Sequence, residues 1–92
     1  MPAAFCFLDG SWHFRYVNTE AERLMGRPRA ELVGASLWET FPDMVGSVFE
    51  SSYRTAAETG RPLTFEASYP GAREGWFEIR VWPGSDGLAV YV

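Results

Sequence analysis

The chain is poor in the residues that disulfides, metal sites and nucleic-acid interfaces require. Among its 92 residues it has a single cysteine, Cys6, and a single histidine, His13, so it has no intramolecular disulfide and no Cys/His cluster for a metal. Its 8 basic residues are scattered among 12 acidic ones, and the net charge is −4. Because nucleic-acid binding needs a clustered basic face, we expect no nucleic-acid partner.

Long apolar runs are also missing. No stretch approaches the roughly 20 residues of a membrane span, and the N-terminus lacks the basic and apolar regions of a signal peptide. A lone cysteine fits a reducing compartment, so we expect a cytoplasmic protein. The sequence stops inside Leu88 to Val92, which reads as a buried strand. We therefore expect residues 1–92 to be one domain excised from a longer multidomain protein.

Aromatic residues, in contrast, are abundant. They make up 16% of the chain, and hydrophobic residues as a whole make up 47%, which is enough to build a core without disulfides or a metal. So many large rings exceed what a minimal core needs, and we expect some of them to line a cavity or an interface.

Five short segments have the apolar patterning of β-strands. They are separated by turn signals, including the predicted hairpin loops 70–75 and 83–87. The predicted strands are Phe5 to Leu8, His13 to Val17, Leu63 to Tyr69, Trp76 to Trp82 and Leu88 to Val92. Glu66 and Arg80 fall on neighbouring predicted strands, and we expect a weak ion pair between them.

Helix signals fill the middle of the chain. A first helix is capped by Thr19 or Asn18 and stopped by Gly26, and Ser36 opens another short helix. The short helix between them runs from Arg29 to Val33. The one long helix is predicted from Met44 to Thr59, with Asp43 as its N-cap. Its buried stripe is predicted to comprise Val45, Val48, Phe49, Ser52 and Ala56.

Three segments of the sequence together resemble a known family. They are Arg15-Tyr16-Val17-Asn18-Thr19-Glu20-Ala21, Glu31-Leu32-Val33-Gly34 with Ser36-Leu37-Trp38, and Trp76 to Pro83 with Asp86-Gly87-Leu88. In this order and spacing they resemble the PAS domain, a sensory module of bacterial signalling proteins. The resemblance implies an α+β fold: a five-stranded antiparallel sheet in the order 2-1-5-4-3, with short helices and one long helix on one face.

The resemblance also implies a function. It is closest to modules that precede sensor histidine kinases of two-component systems, where the domain senses a ligand or relays a signal by dimerisation to an output domain of the same chain. Similar modules precede serine phosphatases and cyclic-dinucleotide enzymes, and these outputs stay open as alternatives. We expect no catalytic activity in this domain. A small cone-shaped isomerase-like enzyme is the least favoured reading, because no buried carboxylate stands out.

Known cofactors of the family leave specific sequence marks, and neither mark is present. Haem-binding relatives carry a ligating histidine on the long helix, whereas His13 falls on a predicted strand facing water. Flavin-binding relatives carry a cysteine near the helices, whereas Cys6 falls in the first strand as a small buried hydrophobe. We therefore expect neither haem nor flavin, and any ligand to be small, apolar or aromatic.

Two sets of residues are candidates for function. The first would converge between helices and sheet as a ligand pocket or a filled core: Leu24, Trp38, Phe41, Val45, Val48, Phe49, Phe65, Phe77, Ile79 and Val90. The second alternates away from the core, and it predicts a homodimer interface on the outer sheet face: Trp76, Glu78, Arg80 and Trp82.

Overall fold

A computed structural model describes residues 3–68 and 76–92. Their five strands are β1 (Phe5–Asp9), β2 (Phe14–Val17), β3 (Leu63–Ala67), β4 (Phe77–Pro83) and β5 (Gly87–Tyr91). All neighbours pair antiparallel, in the order β2-β1-β5-β4-β3. The predicted fold class and strand order are therefore confirmed. The predicted loop 70–75, and Tyr69 at the end of its strand, lie outside the described residues.

The helices lie between β2 and β3 in the sequence. They are α1 (Thr19–Met25), α2 (Arg29–Leu32), α3 (Leu37–Thr40), a 3-10 turn (Pro42–Met44) and α4 (Val48–Thr59). Asn18, rather than Thr19, caps α1: its Oδ1 accepts from the Ala21 N–H at 2.9 Å and from the Phe5 N–H at 3.0 Å. This amide thus ties the start of α1 to β1. Ser36 caps α3 as predicted.

The two faces of the sheet differ sharply in burial. Cys6 and Leu8 of β1 and Leu88 and Val90 of β5 point inward and are buried with the helices. The residues between them in sequence point outward, as strand geometry requires. The core therefore lies wholly on the helical side of the sheet.

A β-bulge in β2 changes the alternation that the sequence predicts there. Phe7 pairs with Tyr16, yet Leu8 pairs with Phe14, so Arg15 is the extra residue. Because of this insertion Phe14 and Val17 both reach the core, although they are three positions apart. A strict period of two would have placed them on opposite faces.

The long helix begins later than predicted. Gly46 adopts a left-handed φ of 81°, which breaks the helical path after the 3-10 turn. Ser47 then caps α4, its Oγ accepting from the Phe49 N–H at 3.1 Å. Asp43 is therefore not the cap of α4, and Val45 precedes the helix. The buried stripe is correspondingly shifted to Phe49, Tyr53 and Ala56.

The predicted ion pair between Glu66 and Arg80 is wrong, because the register of β3 against β4 does not place these two residues opposite each other. Glu66 lies opposite Glu78, and Thr64 lies opposite Arg80. The Arg80 Nη2 instead contacts the Glu78 Oε1 on its own strand, at 3.3 Å. Both side chains are exposed, so this pair contributes little to stability.

We predict that Phe49→Ala strongly destabilises the fold. Phe49 is 5% exposed, and its ring meets Phe65 edge-on at a centroid distance of 5.7 Å. Removing a buried Phe side chain costs about 3–5 kcal/mol of unfolding free energy. Val48→Ala is the matched control: Val48 is the preceding residue, is 46% exposed, and should lose less than about 0.5 kcal/mol. Chemical denaturation measures both, and a loss below about 1 kcal/mol for Phe49→Ala would contradict this packing.

Candidate ligand cavity and outer sheet face

An apolar cavity of about 150 Å³ lies between the sheet and the helices. Leu24 of α1 lines it and is 43% exposed. The sheet contributes side chains from β1, β2, β4 and β5, and α1, α3, the 3-10 turn and α4 close the other side. The complete lining is Cys6, Leu8, Phe14, Leu24, Met25, Leu37, Phe41, Met44, Phe49, Tyr53, Phe77, Ile79, Val90 and Val92.

Six of the ten residues predicted from the sequence to converge here do line the cavity. They come from α1, the end of α3, α4 and two central strands, so they are brought together only by folding. These residues are Leu24, Phe41, Phe49, Phe77, Ile79 and Val90.

Two predicted residues pack one layer behind the cavity wall. Phe65 lies edge-on against Phe49 and Tyr53, with centroids 5.7 and 6.0 Å away. Trp38 lies between Trp12 and Tyr53, with centroids 5.3 and 6.2 Å away. Both rings therefore support lining residues instead of facing the cavity.

Arg54 holds Trp38 in this position from the outside. Its guanidinium lies 5.3 Å from the Trp38 ring and 5.4 Å from the Trp12 ring, within the range of cation–π attraction. Arg54 Nε also contacts the Glu50 Oε2 at 2.8 Å. The Trp38 Nε1 is buried, and it has no hydrogen-bond partner within residues 3–68 and 76–92.

The other two predicted pocket residues are at the surface. Val45 is 53% exposed and Val48 is 46% exposed. Val45 lies before α4 because the helix starts late, and Val48 lies on the solvent side because the buried face of α4 is formed by Phe49, Tyr53 and Ala56. Their assignment to the pocket is therefore corrected.

Tyr53 is the most informative residue that the sequence-based prediction missed. It lies four residues after Phe49 and three before Ala56, on one face of α4, and it lines the cavity. That spacing is visible in the sequence, but the stripe through Val45, Val48 and Ser52 also contains Phe49 and Ala56, so the sequence pattern allows both faces. Cys6, Leu8, Phe14, Met25, Leu37, Met44 and Val92 also line the cavity outside the predicted set.

Burial keeps both polar groups of the lining uncharged. It raises the pKa of the Cys6 thiol from 9.0 to about 12. It also raises the pKa of the Tyr53 hydroxyl, and an ionised Cys6 nearby would raise it further. Cys6 is thus a buried neutral thiol, as expected from the sequence, and not a reactive thiolate.

The outer sheet face is aromatic and exposed. Trp76 is 73% exposed, Trp82 54% and Tyr91 40%. The side chains of Glu78 and Arg80 are 53% and 60% exposed. All four predicted interface residues therefore lie at the surface, with Glu78, Arg80 and Trp82 on the outward positions of β4.

This face extends further across the sheet than the sequence indicated. Phe5 contacts Tyr91 on one side and Tyr16 on the other, with centroids 4.8 and 5.8 Å apart. The run Phe5 to Leu8 is apolar throughout and shows no alternation, so the sequence does not indicate which of its rings point outward. We call this surface the aromatic face. It comprises Tyr16, Phe5, Tyr91 and Trp82, together with Trp76 just before β4.

His13, the remaining candidate position, lies beside the turn that joins β1 and β2. The His13 side chain is 43% exposed, and its Nδ1 lies 3.8 Å from the Asp9 Oδ1. Hydrogen bonds that the backbone N–H groups of His13 and Ser11 donate to the Asp9 carboxylate lower its pKa, and they close the β1–β2 turn.

In the described part of the chain, no three His, Cys, Asp or Glu residues are grouped to hold a metal. Nor is any described helix long and apolar enough to cross a bilayer.

Comparison with known families identifies the class of protein that this fold defines. The family model for the PAS fold matches residues 1–92. The chain therefore belongs to the PAS family, as the sequence resemblance implied. No curated protein sequence matches it significantly.

Solved PAS structures are similar over almost the whole chain. The PAS domain of histidine kinase ThkA shares 21% identity with a TM-score of 0.81, covering 99% of this chain and 97% of that one. The photoactive yellow protein domain of the sensor histidine kinase Ppr from Rhodospirillum centenum shares 20%, with a TM-score of 0.82 and coverages of 99% and 83%.

A sensory box sensor histidine kinase from Vibrio cholerae shares 15% identity, with a TM-score of 0.82, and covers 99% of this chain and 79% of its own. At these identities the similarity establishes the fold. The chain is thus a PAS sensory domain that resembles those of sensor histidine kinases.

We predict that stability falls at alkaline pH through Cys6. Its pKa is raised from 9.0 to about 12 by burial, so above pH 9 the unfolded chain releases a proton that the folded chain keeps. The contribution of Cys6 to the free energy of unfolding is fully present below pH 9. Between pH 9 and pH 12 it falls by about 1.4 kcal/mol per pH unit. The sequence has no lysine, so few other groups titrate near pH 9.

Urea denaturation at pH 8, 9 and 10 measures this slope. Cys6→Ala is the control, because it keeps a small apolar side chain and removes the titrating thiol. Its unfolding free energy should decline less between pH 9 and 10 than that of the wild type. Equal declines in the two proteins would show that Cys6 is accessible in the folded state. Tyr53 adds to the loss in both proteins above pH 10, because burial also raises its pKa from 10.0.

Proposed function

We propose that this PAS domain is the cytoplasmic input module of a bacterial sensor histidine kinase in a two-component system. The main support is the cavity of about 150 Å³, which is lined by apolar and aromatic side chains. In this proposal the cavity binds a small apolar ligand. The similarity to PAS domains of histidine kinases supports this output over a serine phosphatase or a cyclic-dinucleotide enzyme. The free, buried Cys6 supports a reducing compartment.

The composition of the cavity wall defines what kind of molecule it suits. None of the residues that line it carries a charged side chain. Transferring an ionised group into such surroundings without a partner is costly. Uncharged apolar molecules are therefore the proposed ligands, and haem and flavin are not among them, because both are far larger than this cavity.

We predict that purified protein is colourless and is stabilised by uncharged apolar molecules. A ligand at ten times its Kd adds about 1.4 kcal/mol of unfolding free energy, which raises the Tm by several degrees in a domain of this size. Succinate, a small dicarboxylate, is the control and should leave the Tm unchanged. A Soret or flavin absorption band, or stabilisation by succinate alone, would contradict the proposal.

A second proposal concerns relay by dimerisation through the aromatic face. Exposed indole and phenol rings in one contiguous surface are enriched at protein contacts. The geometry supports a relay because the same strands form both surfaces. Val90 lines the cavity, and the next residue, Tyr91, lies on the aromatic face. A ligand that shifts β5 would therefore shift the dimer contact as well.

We predict that the protein dimerises and that Trp76→Ser combined with Trp82→Ser weakens the dimer. Each central indole in such an interface contributes about 2 kcal/mol, which corresponds to about 30-fold in Kd. Sedimentation equilibrium measures the change. Val33→Ser with Val45→Ser is the control, since these valines are 43% and 53% exposed outside the sheet. A monomeric wild type, or equal weakening by both pairs, would exclude this interface.

A further inference from the structure

The size of the cavity restricts its ligand to about one six-membered ring. Its volume is about 150 Å³, and an engineered apolar cavity of that volume in another protein stays dry and binds benzene. A fatty acid or a fused polycyclic molecule would exceed this space. This argument rests on the proposed ligand-binding function and specifies the class of ligand.

The shape and chemistry of the wall favour an aromatic ring. Four phenylalanines and one tyrosine line the cavity, contributed by strands and helices on opposite sides: Phe14, Phe41, Phe49, Phe77 and Tyr53. Aromatic pairs in tilted or edge-on geometry are favoured beyond the area they bury. A ligand ring placed among these five rings finds such partners in several directions.

Tyr53 brings the one hydroxyl group into this wall. Tyr53 is 4% exposed, yet within residues 3–68 and 76–92 no hydrogen bond to its hydroxyl is found. The hydroxyl is not among the fully enclosed polar atoms, so a ligand in the cavity can reach it and form a hydrogen bond with it. The hydroxyl is uncharged, so it both donates and accepts. Cys6, the other polar lining residue, offers only a weak thiol donor.

We propose that the cavity binds a neutral single-ring aromatic molecule carrying one hydroxyl or carbonyl group, of which phenol is the simplest. Its ring lies among the phenylalanines of the wall, and its oxygen forms a hydrogen bond with the Tyr53 hydroxyl. Tyr53 is then the residue that selects this class over plain aromatic hydrocarbons. The aromatic ring of Tyr53 itself packs against Phe49 and Phe65, which fixes where its hydroxyl lies.

The test compares phenol, benzene and benzoate as probes at neutral pH. Calorimetric titration gives the Kd of each, and amide chemical shifts show whether the perturbed residues are those around the cavity. We expect phenol to bind about tenfold more tightly than benzene, since one hydrogen bond in a buried site is worth about that factor. Benzoate, which is charged, should not bind.

Tyr53→Phe isolates the contribution of the hydroxyl. It keeps the ring and its packing, so the fold should be retained, and thermal melts check this. Phenol should then bind no more tightly than benzene, while the benzene Kd stays within about twofold of the wild type. Tyr16→Phe is the matched control: Tyr16 is 49% exposed on the aromatic face, and its loss of a hydroxyl should change neither Kd.

The outcomes separate this inference from the function on which it rests. If phenol and benzene bind equally to both proteins, the role of Tyr53 is refuted and ligand binding stands. If no ring binds while other apolar molecules raise the Tm, the aromatic class is refuted and the sensor proposal stands. If no apolar molecule of any kind binds, the ligand-sensing proposal fails and this inference fails with it.

Discussion

Pairing between β1 and β5 is the constraint on which the rest of the structure depends. It joins Phe5 to Tyr91 and Asp9 to Gly87, residues from opposite ends of the chain. Without it the sheet would be divided into two parts: the hairpin of β1 and β2, and a three-stranded unit of β3, β4 and β5. At Gly87, φ is 155°, and any side chain would collide with the carbonyl oxygen of Leu8. Only glycine therefore allows the two strands to approach this closely.

This pairing also creates both candidate functional surfaces. On the inner side it places Cys6 beside Val90, and both line the cavity. On the outer side it places Phe5 beside Tyr91, the centre of the aromatic face. Because successive side chains on a strand point to opposite sides, the cavity and the aromatic face are separated by a single layer of backbone. Signal relay between them would require no long pathway through the molecule.

The helical layer determines which side chains reach the cavity. Gly46 and the Ser47 cap delay the start of α4, so that Val45 precedes the helix, and the face of α4 that meets the sheet carries Tyr53 instead of Val48. Arg54, one residue further, stacks on Trp12 and Trp38 outside the wall. The resulting arrangement leaves Tyr53 as the one hydroxyl group in a largely apolar wall, which is the feature that would give such a pocket chemical selectivity.

Local patterns in the sequence determined the elements of this protein. The caps at Asn18 and Ser36, the left-handed stop at Gly26 and the alternation in β4 are decided by neighbours within a few residues, so they are legible in one dimension. The order of the elements, through its resemblance to PAS domains, also determined the strand order. The tertiary structure alone decided the bulge at Arg15, the pairing of Glu66 with Glu78, and the cavity left between the helices and the sheet. Each of these depends on the register of one element against another, and register is set by packing over long sequence separations, which no local pattern encodes.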